Sequence, residues 1–247
     1  MTVLTLAILT LVVGGGATIS AILGGGGGIL VLAVLLQVFG PAVAIPLHGV
    51  IQLVANLWRG FLYREHTLWS IVGALILGAI PGIILGTLAQ RYVPEQVIQV
   101  ALGLFVVVAT LWPIKEDSES NGIDDRWLWP LGGASGFLAM IIGSVGPLLS
   151  VYFLRRGLEP MQLVATKTWC QTGLHAMKVA GFLTLGFSFS EHALTLSAVI
   201  PAALLGTWLG RNVLKKLKTE TFVLALRILL VLLGARIVWQ GVVNITG

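Results

Sequence analysis

Charge is what this sequence has least of. Only 10% of its 247 residues are Asp, Glu, Lys or Arg, against about a quarter in a soluble domain. That shortage excludes a water-soluble globule, a disordered chain and a nucleic-acid-binding domain. The single cysteine, Cys170, excludes a disulfide framework and a cysteine-based metal site. There is no Gly-x-x-x-x-Gly-Lys-Ser/Thr phosphate loop, so no ATPase is built in. No Lys or Arg precedes Arg59. A signal peptide needs a basic start, so residues 3–23 read as a retained span. The net charge of +5 does not point to DNA, because the basic residues form no stripe with interleaved aromatics.

Apolar length is what the sequence has in excess. A bilayer core about 30 Å thick needs roughly 20 apolar residues per helix. Eight apolar segments fit that measure: 3–39, 42–63, 67–90, 96–113, 127–154, 161–187, 192–210 and 220–243. Tyr63, Trp69, Tyr92, Trp112, Trp127, Trp129 and Trp239 lie near their ends, as in the aromatic belts of membrane proteins. The fold class expected is an all-α integral membrane protein of about eight transmembrane helices. If each segment crosses once, Arg91, Arg155, Arg156, Arg211, Lys215, Lys216 and Lys218 share one side. The excess of basic residues makes that side cytoplasmic. Arg64, Lys115, Arg126 and both termini would then face outward. Residues 115–126, with five acids and two bases, are the one hydrophilic linker.

The chain resembles itself. At a shift of 119, Gly24 meets Gly143, Gly27 meets Gly146, Pro41 meets Pro160 and Gln52 meets Gln171. At a shift of 120, Pro81 meets Pro201, Leu85-Gly86-Thr87 meets Leu205-Gly206-Thr207, and Arg91 meets Arg211. Helix breakers and rare polar residues are among the matches, which composition alone aligns poorly. The reading is a first transmembrane repeat, 1–114, and a second, 127–247, joined by the linker. Four crossings per half would make the repeats parallel, and this arrangement is slightly favoured. Re-entrant glycine elements would leave three crossings per half and make the repeats inverted.

Two glycine elements interrupt apolar segments: Gly24, Gly25, Gly26, Gly27 and Gly28, and Gly143, Ser144, Val145, Gly146 and Pro147. Five glycines cannot hold a helix, at nearly 1 kcal/mol each relative to Ala. A broken helix or re-entrant segment is expected at each. The helix that starts after the break would aim unpaired N–H groups inward and favour an anion. Close helix packing through small residues is the competing explanation.

Each half also carries a polar stripe. His48, Gln52, Asn56 and Arg59 are spaced 4, 4 and 3, and so are Lys167, Gln171, His175 and Lys178. At about 100° per residue each set falls within an arc of about 80° on one helix. Ionisable groups inside a membrane face a bundle interior or a wet cavity. The spans hold cations but almost no carboxylate, whereas a sodium or calcium site needs oxygen ligands, usually carboxylates among them. Neither a metal nor a cofactor is expected. The candidate binding residues are Gly24 to Gly28, His48, Gln52, Asn56, Gly143, Ser144, Gly146, Lys167, Gln171 and His175. Arg59 and Lys178, nearer the span ends, are expected to line an access path.

The run Gly24 to Gly28 followed by Ile29-Leu30-Val31 resembles the signature of the sulfite exporter TauE/SafE family. The second-half echo Gly143 to Pro147, the paired halves and the length agree, so the resemblance covers nearly the whole chain. It implies a multispanning permease of the plasma membrane, chiefly bacterial and so in the inner membrane, for sulfite, organosulfonates or similar anions. The expected partners are a small anion and the lipid bilayer, with no nucleic acid and with self-association left open.

The function expected is therefore secondary anion transport without enzymatic activity, the anion lying between the halves and nearer the second. Two alternatives stand beside it. An anion channel could use the same residues. An intramembrane serine protease could use Ser135, in Gly133-Ala134-Ser135-Gly136, with His175 or His192 as base. The position that the repeat aligns with Ser135 is Gly16, so the repeat gives the protease no support.

Overall fold

The computed structural model describes residues 2–23, 26–111, 125–156, 158–213 and 219–246. Among these the regular structure is entirely helical: α1 (Val3–Leu23), α2 (Gly27–Phe39), α3 (Pro41–Leu62), α4 (Trp69–Gln90), α5 (Glu95–Leu111), α6 (Leu128–Ile141), α7 (Gly146–Arg155), α8 (Pro160–Thr184), α9 (Ala193–Val213) and α10 (Thr219–Thr246). Among the described residues, five stretches are long and apolar enough to cross a bilayer: Val3–Ala21, Pro41–Leu62, Trp69–Gln90, Phe189–Gly210 and Arg227–Thr246. The chain is an all-α membrane protein. Its outer surface is apolar, with Leu11, Trp69, Leu85, Leu194, Leu205 and Trp239 all exposed. Its interior holds the polar side chains, including His48, Asn56, Arg59, Lys167, His175 and Lys178. This inversion suits lipid outside and a polar interior.

The two longest apolar segments are each split. Segment 3–39 becomes α1 and α2, with Gly26 at φ 85° ahead of α2. Segment 127–154 becomes α6 and α7, with Gly143 at φ 79° in the break. Positive φ is open to glycine without a Cβ clash, so these residues turn the chain sharply. Gly24 and Gly25 lie outside the described residues. Elsewhere proline sets the starts: Pro41 and Pro160 open α3 and α8, where a missing N–H costs nothing.

Glycine contacts fix the relative directions of the helices. A Cβ on Gly27 would meet Gly16 and Ser20, and one on Gly16 would meet Val31, so α2 runs back along α1. Gly28 faces Gln52, and Leu32 and Ile45 both lie against Gly143, so α3 runs back along α2. Gly49 lies on Lys178 and Gly60 on Trp169, which makes α8 antiparallel to α3. Ile76 meets Gly173 and Thr87 meets Gly181, so α4 is parallel to α8. Helix α4 is also parallel to α6 through Gly78 on Trp129 and Gly86 on Met140, and α1 is parallel to α9 through Gly14 on Ala202 and Gly210 on Thr18. Gly103 touches Val238 and Gly241 touches Val100, so α5 and α10 are antiparallel. The α1–α9 and α4–α6 seams are thus close small-residue contacts, the kind that lets helix backbones approach in lipid.

These directions overturn the parallel arrangement that the sequence slightly favoured. The shift of 119–120 sends α3 to α8 and α5 to α10, and in each pair the helices run oppositely. It also sends the α1–α9 contact to the α6–α4 contact. An axis lying across the helices relates such pairs; an axis along them does not.

Sidedness changes as a result. The ten helices alternate in direction, so α3 ends, α4 begins, α5 ends, α6 begins, α7 ends, α8 begins, α9 ends and α10 begins at one end of the bundle. In sequence, Arg64, Lys115, Arg126, Arg155, Arg156, Arg211, Lys215, Lys216 and Lys218 all fall at or between those helix ends. The connections at the opposite end carry only Arg91. The sequence reading, counting single crossings of 3–39 and 127–154, had divided the first group between two sides. Cysteines introduced singly at Glu119 and Lys216 are expected to react with a membrane-impermeant maleimide from the same side. Labelling from opposite sides would contradict the alternation of helix directions.

Candidate functional site

Helices α3 and α8 bring the two polar stripes together. Because they run oppositely, the stripes meet head to tail: His48 lies beside the Lys178 end, and Arg59 beside the Lys167 end. His48 and Arg59 are eleven residues apart on α3, about 16 Å at 1.5 Å per residue. The interior therefore holds two polar clusters, with Gln52 and Gln171 at intermediate positions on their helices.

In the first cluster His48 Nε2 lies 2.9 Å from the Gly28 carbonyl oxygen. A carbonyl only accepts, so the imidazole proton sits on Nε2 and Nδ1 is left to accept. Lys178 Nζ lies 3.4 Å from that Nδ1 and donates to the Gly143 carbonyl oxygen at 2.9 Å. The His175 ring stands edge-on to His48 at 5.6 Å between centroids. One pair of side chains thus ties the start of α2 to the break before α7.

In the second cluster Arg59 Nη1 donates to Asn56 Oδ1 at 3.2 Å. Lys167 Nζ donates to Ser150 Oγ at 2.9 Å, and that hydroxyl donates to the Gly146 carbonyl oxygen at 2.9 Å. Trp169 Nε1 donates to the Gly60 carbonyl oxygen. Arg59 Nε, Arg59 Nη2 and Asn56 Nδ2 are buried and have no hydrogen-bond partner; His175 Nδ1 in the first cluster is also unpartnered. Buried polar groups are ordinarily paired, and these four atoms lack that pairing.

The expected access-path role for Arg59 and Lys178 does not fit their burial. Arg59 is 4% exposed and Lys178 is 0% exposed. Position near a span end suggested a mouth, but the packing of α3 against α8 covers both heads. Ser150 went unnoticed in the sequence. It sits on the short helix, and its partner at a shift of 119 is Val31, so the repeat gave no sign of it.

The glycine elements divide into two kinds. A Cβ on Gly28 would lie 3.3 Å from Gln52 Nε2, and one on Gly146 would lie 3.1 Å from Gln171 Nε2. Each glutamine therefore rests on the first turn of the short helix in its own half, where backbone N–H groups lack helical partners. Gly27 instead faces the Gly16 carbonyl and Ser20, so it serves helix packing. Ser144 is buried in the second break.

The helices of this interior carry cations and no acid. None of the ten acids lies within α2, α3, α7 or α8, while Arg59, Lys167 and Lys178 do. Amide donors, helix starts and cations converge here, a set that stabilises negative charge. Ser135, the alternative nucleophile, is buried with no hydrogen-bond partner for its Oγ, so no histidine hydrogen-bonds to it.

A family model described as Sulfite exporter TauE/SafE matches residues 7–237. No curated protein and no solved structure matches the chain.

The two kinds of glycine should separate by mutation. Gly27→Ala is expected to lower the melting temperature of the detergent-solubilised protein, as overpacking typically costs about 1–3 kcal/mol. Gly28→Ala and Gly146→Ala should melt near wild type, since only a flexible glutamine must shift, but should bind anion more weakly. A neutral Gly27→Ala variant would show that its contact with α1 is not needed.

Proposed function

The chain belongs to the sulfite exporter TauE/SafE family, which implies membrane transport of sulfite or related sulfur anions, and from that premise we propose a secondary carrier in the plasma membrane, the inner membrane of a bacterium. Its cargo is a small sulfur-containing anion such as sulfite or an organosulfonate. The anion is held between two inverted repeats, 1–114 and 127–247, joined by the linker 115–126. The observation that carries this reading is the symmetric placement of Gln52 and Gln171, each against the first turn of a short helix, in an interior whose helices bear cations and no acid.

The end of the bundle that gathers Arg64 through Lys218 is the cytoplasmic end in this reading. An interior-negative potential then drives an anion outward by about 2.3 kcal/mol per charge per 100 mV. Export needs no further energy source on those terms. Alternating access would rock the α1–α2 and α6–α7 hairpins, which approach the centre from opposite ends, against α3 and α8. In a carrier the site is closed on one side at a time, so flux saturates and an anion on the far side accelerates exchange.

Proteoliposome assays of sulfite efflux test the reading. Saturable flux stimulated by sulfite on the far side is expected; conductance far above carrier turnover would make the protein a channel. Lys167→Met is expected to weaken sulfite binding by about tenfold or more, the equivalent of a hydrogen bond to a charged group. Unchanged affinity would remove Lys167 from the site.

A further inference from the structure

The two stripe-end cations occupy equivalent places but are bound differently. Lys178 is spent on the protein: it donates to the Gly143 carbonyl and lies against His48 Nδ1. Arg59 has only its Nη1 engaged, on Asn56 Oδ1, while its Nε and Nη2 are buried and unpartnered. Those two nitrogens lie on one edge of the guanidinium, with their N–H bonds parallel. That edge matches two oxygens of one oxyanion, and a single-atom anion cannot accept both bonds in line. At 4% exposure the head does not reach water, so solvent does not satisfy it.

We propose that Arg59 is the specificity-determining residue of the site, clamping two oxygens of a sulfite or sulfonate group through Nε and Nη2. This inference rests on the anion-carrier reading above. Asn56 holds the guanidinium by Nη1 and turns its free edge toward the ligand. The unpartnered Asn56 Nδ2 supplies a further donor for the same group, and Lys167, on the facing end of α8, adds positive charge. The cluster lies one turn from the end of α3, at the end of the bundle that bears most of the basic residues. An anion arriving from that side meets Arg59 before it meets the first cluster, where Lys178 is already engaged by the Gly143 carbonyl. The ligand class follows from the geometry: an XO3 or XO2 anion with two oxygens on one edge is bound in preference to a halide.

The test measures binding of sulfite, methanesulfonate and bromide to the full chain in detergent by calorimetry, with melting temperatures alongside. Wild type should bind sulfite and methanesulfonate at least tenfold more tightly than bromide. Arg59→Lys keeps the charge but loses the fork, so it should bind the oxyanions about tenfold or more weakly with bromide affinity little changed. Should that variant fail to fold, Asn56→Asp decides the matter. It places a carboxylate beside the guanidinium, so it should melt higher without ligand and lose its response to sulfite. Wild-type sulfite affinity in either folded variant overturns the clamp while leaving the carrier reading intact. Failure of wild type to bind any of the oxyanions overturns both.

Discussion

Three buried cations on helices that contain no acid set the terms for this structure. In a bilayer a lone charge is expensive, and pairing with a carboxylate is the usual remedy. Here the remedy is carbonyl oxygens and a hydroxyl. Lys178 takes the Gly143 carbonyl, and Lys167 takes Ser150, itself bonded to the Gly146 carbonyl. Gly143 lies in the break between α6 and α7, and Ser150 lies one turn into α7. The break thus supplies the acceptor for Lys178, and Lys178 in turn holds the break inside the protein. Irregular backbone at membrane depth persists only where protein or water satisfies it.

The same logic explains why the short helices are short. Helix α2 needs to run only from its break to Gly40, and α7 from its break to Arg155. Neither has to cross the membrane on its own: α2 returns along α1, and α7 packs against the longer α8. What they must do is present their first turns to α3 and α8, and Gly28 and Gly146 allow Gln52 and Gln171 to come close there. The long apolar helices outside, with Gly14, Gly78, Gly82 and Gly206 at their seams, brace the two hairpins against the rest of the bundle.

Much of this was legible in the sequence because its signals are local. Apolar length gave the helices, glycine runs gave both breaks, and the 4, 4, 3 spacing placed each stripe on one face. The relation between elements was less legible. Whether 3–39 crosses once or turns back cannot be read from hydropathy, and one extra reversal inverts every assignment of side until the next reversal restores it. The linker 115–126 was therefore placed opposite the Lys215–Lys218 group, although the helix ends flanking both lie together. Arg59 and Lys178 looked peripheral for a similar reason: distance from a span end is a sequence quantity, whereas burial depends on which helix lies across. Ser150 could not have been found at all, since a lone serine between Leu149 and Val151 reads as one more residue of an apolar helix and nothing in the repeat marks it.

The inverted arrangement gives a reason for the stripes to be similar but not identical. Under the proposed repeat His48 corresponds to Lys167, Gln52 to Gln171, Asn56 to His175 and Arg59 to Lys178. Only the glutamines are the same, and they are the pair set on the helix starts, where both halves offer the same backbone donors. The outer members differ, and so do the two polar clusters. One is fastened by His48 and Lys178 to main-chain carbonyls. The other keeps unused donors on Arg59 and Asn56. A strictly symmetric protein would hold both clusters alike and would have no preferred resting state. In the proposed carrier, unequal chemistry on an equal scaffold would make one closure cheaper than the other, and an anion that satisfies Arg59 and Asn56 would supply the free energy to exchange them. That differential interaction is what any ligand-driven change of state requires, and under the proposed function it would reside in the residues the two stripes do not share.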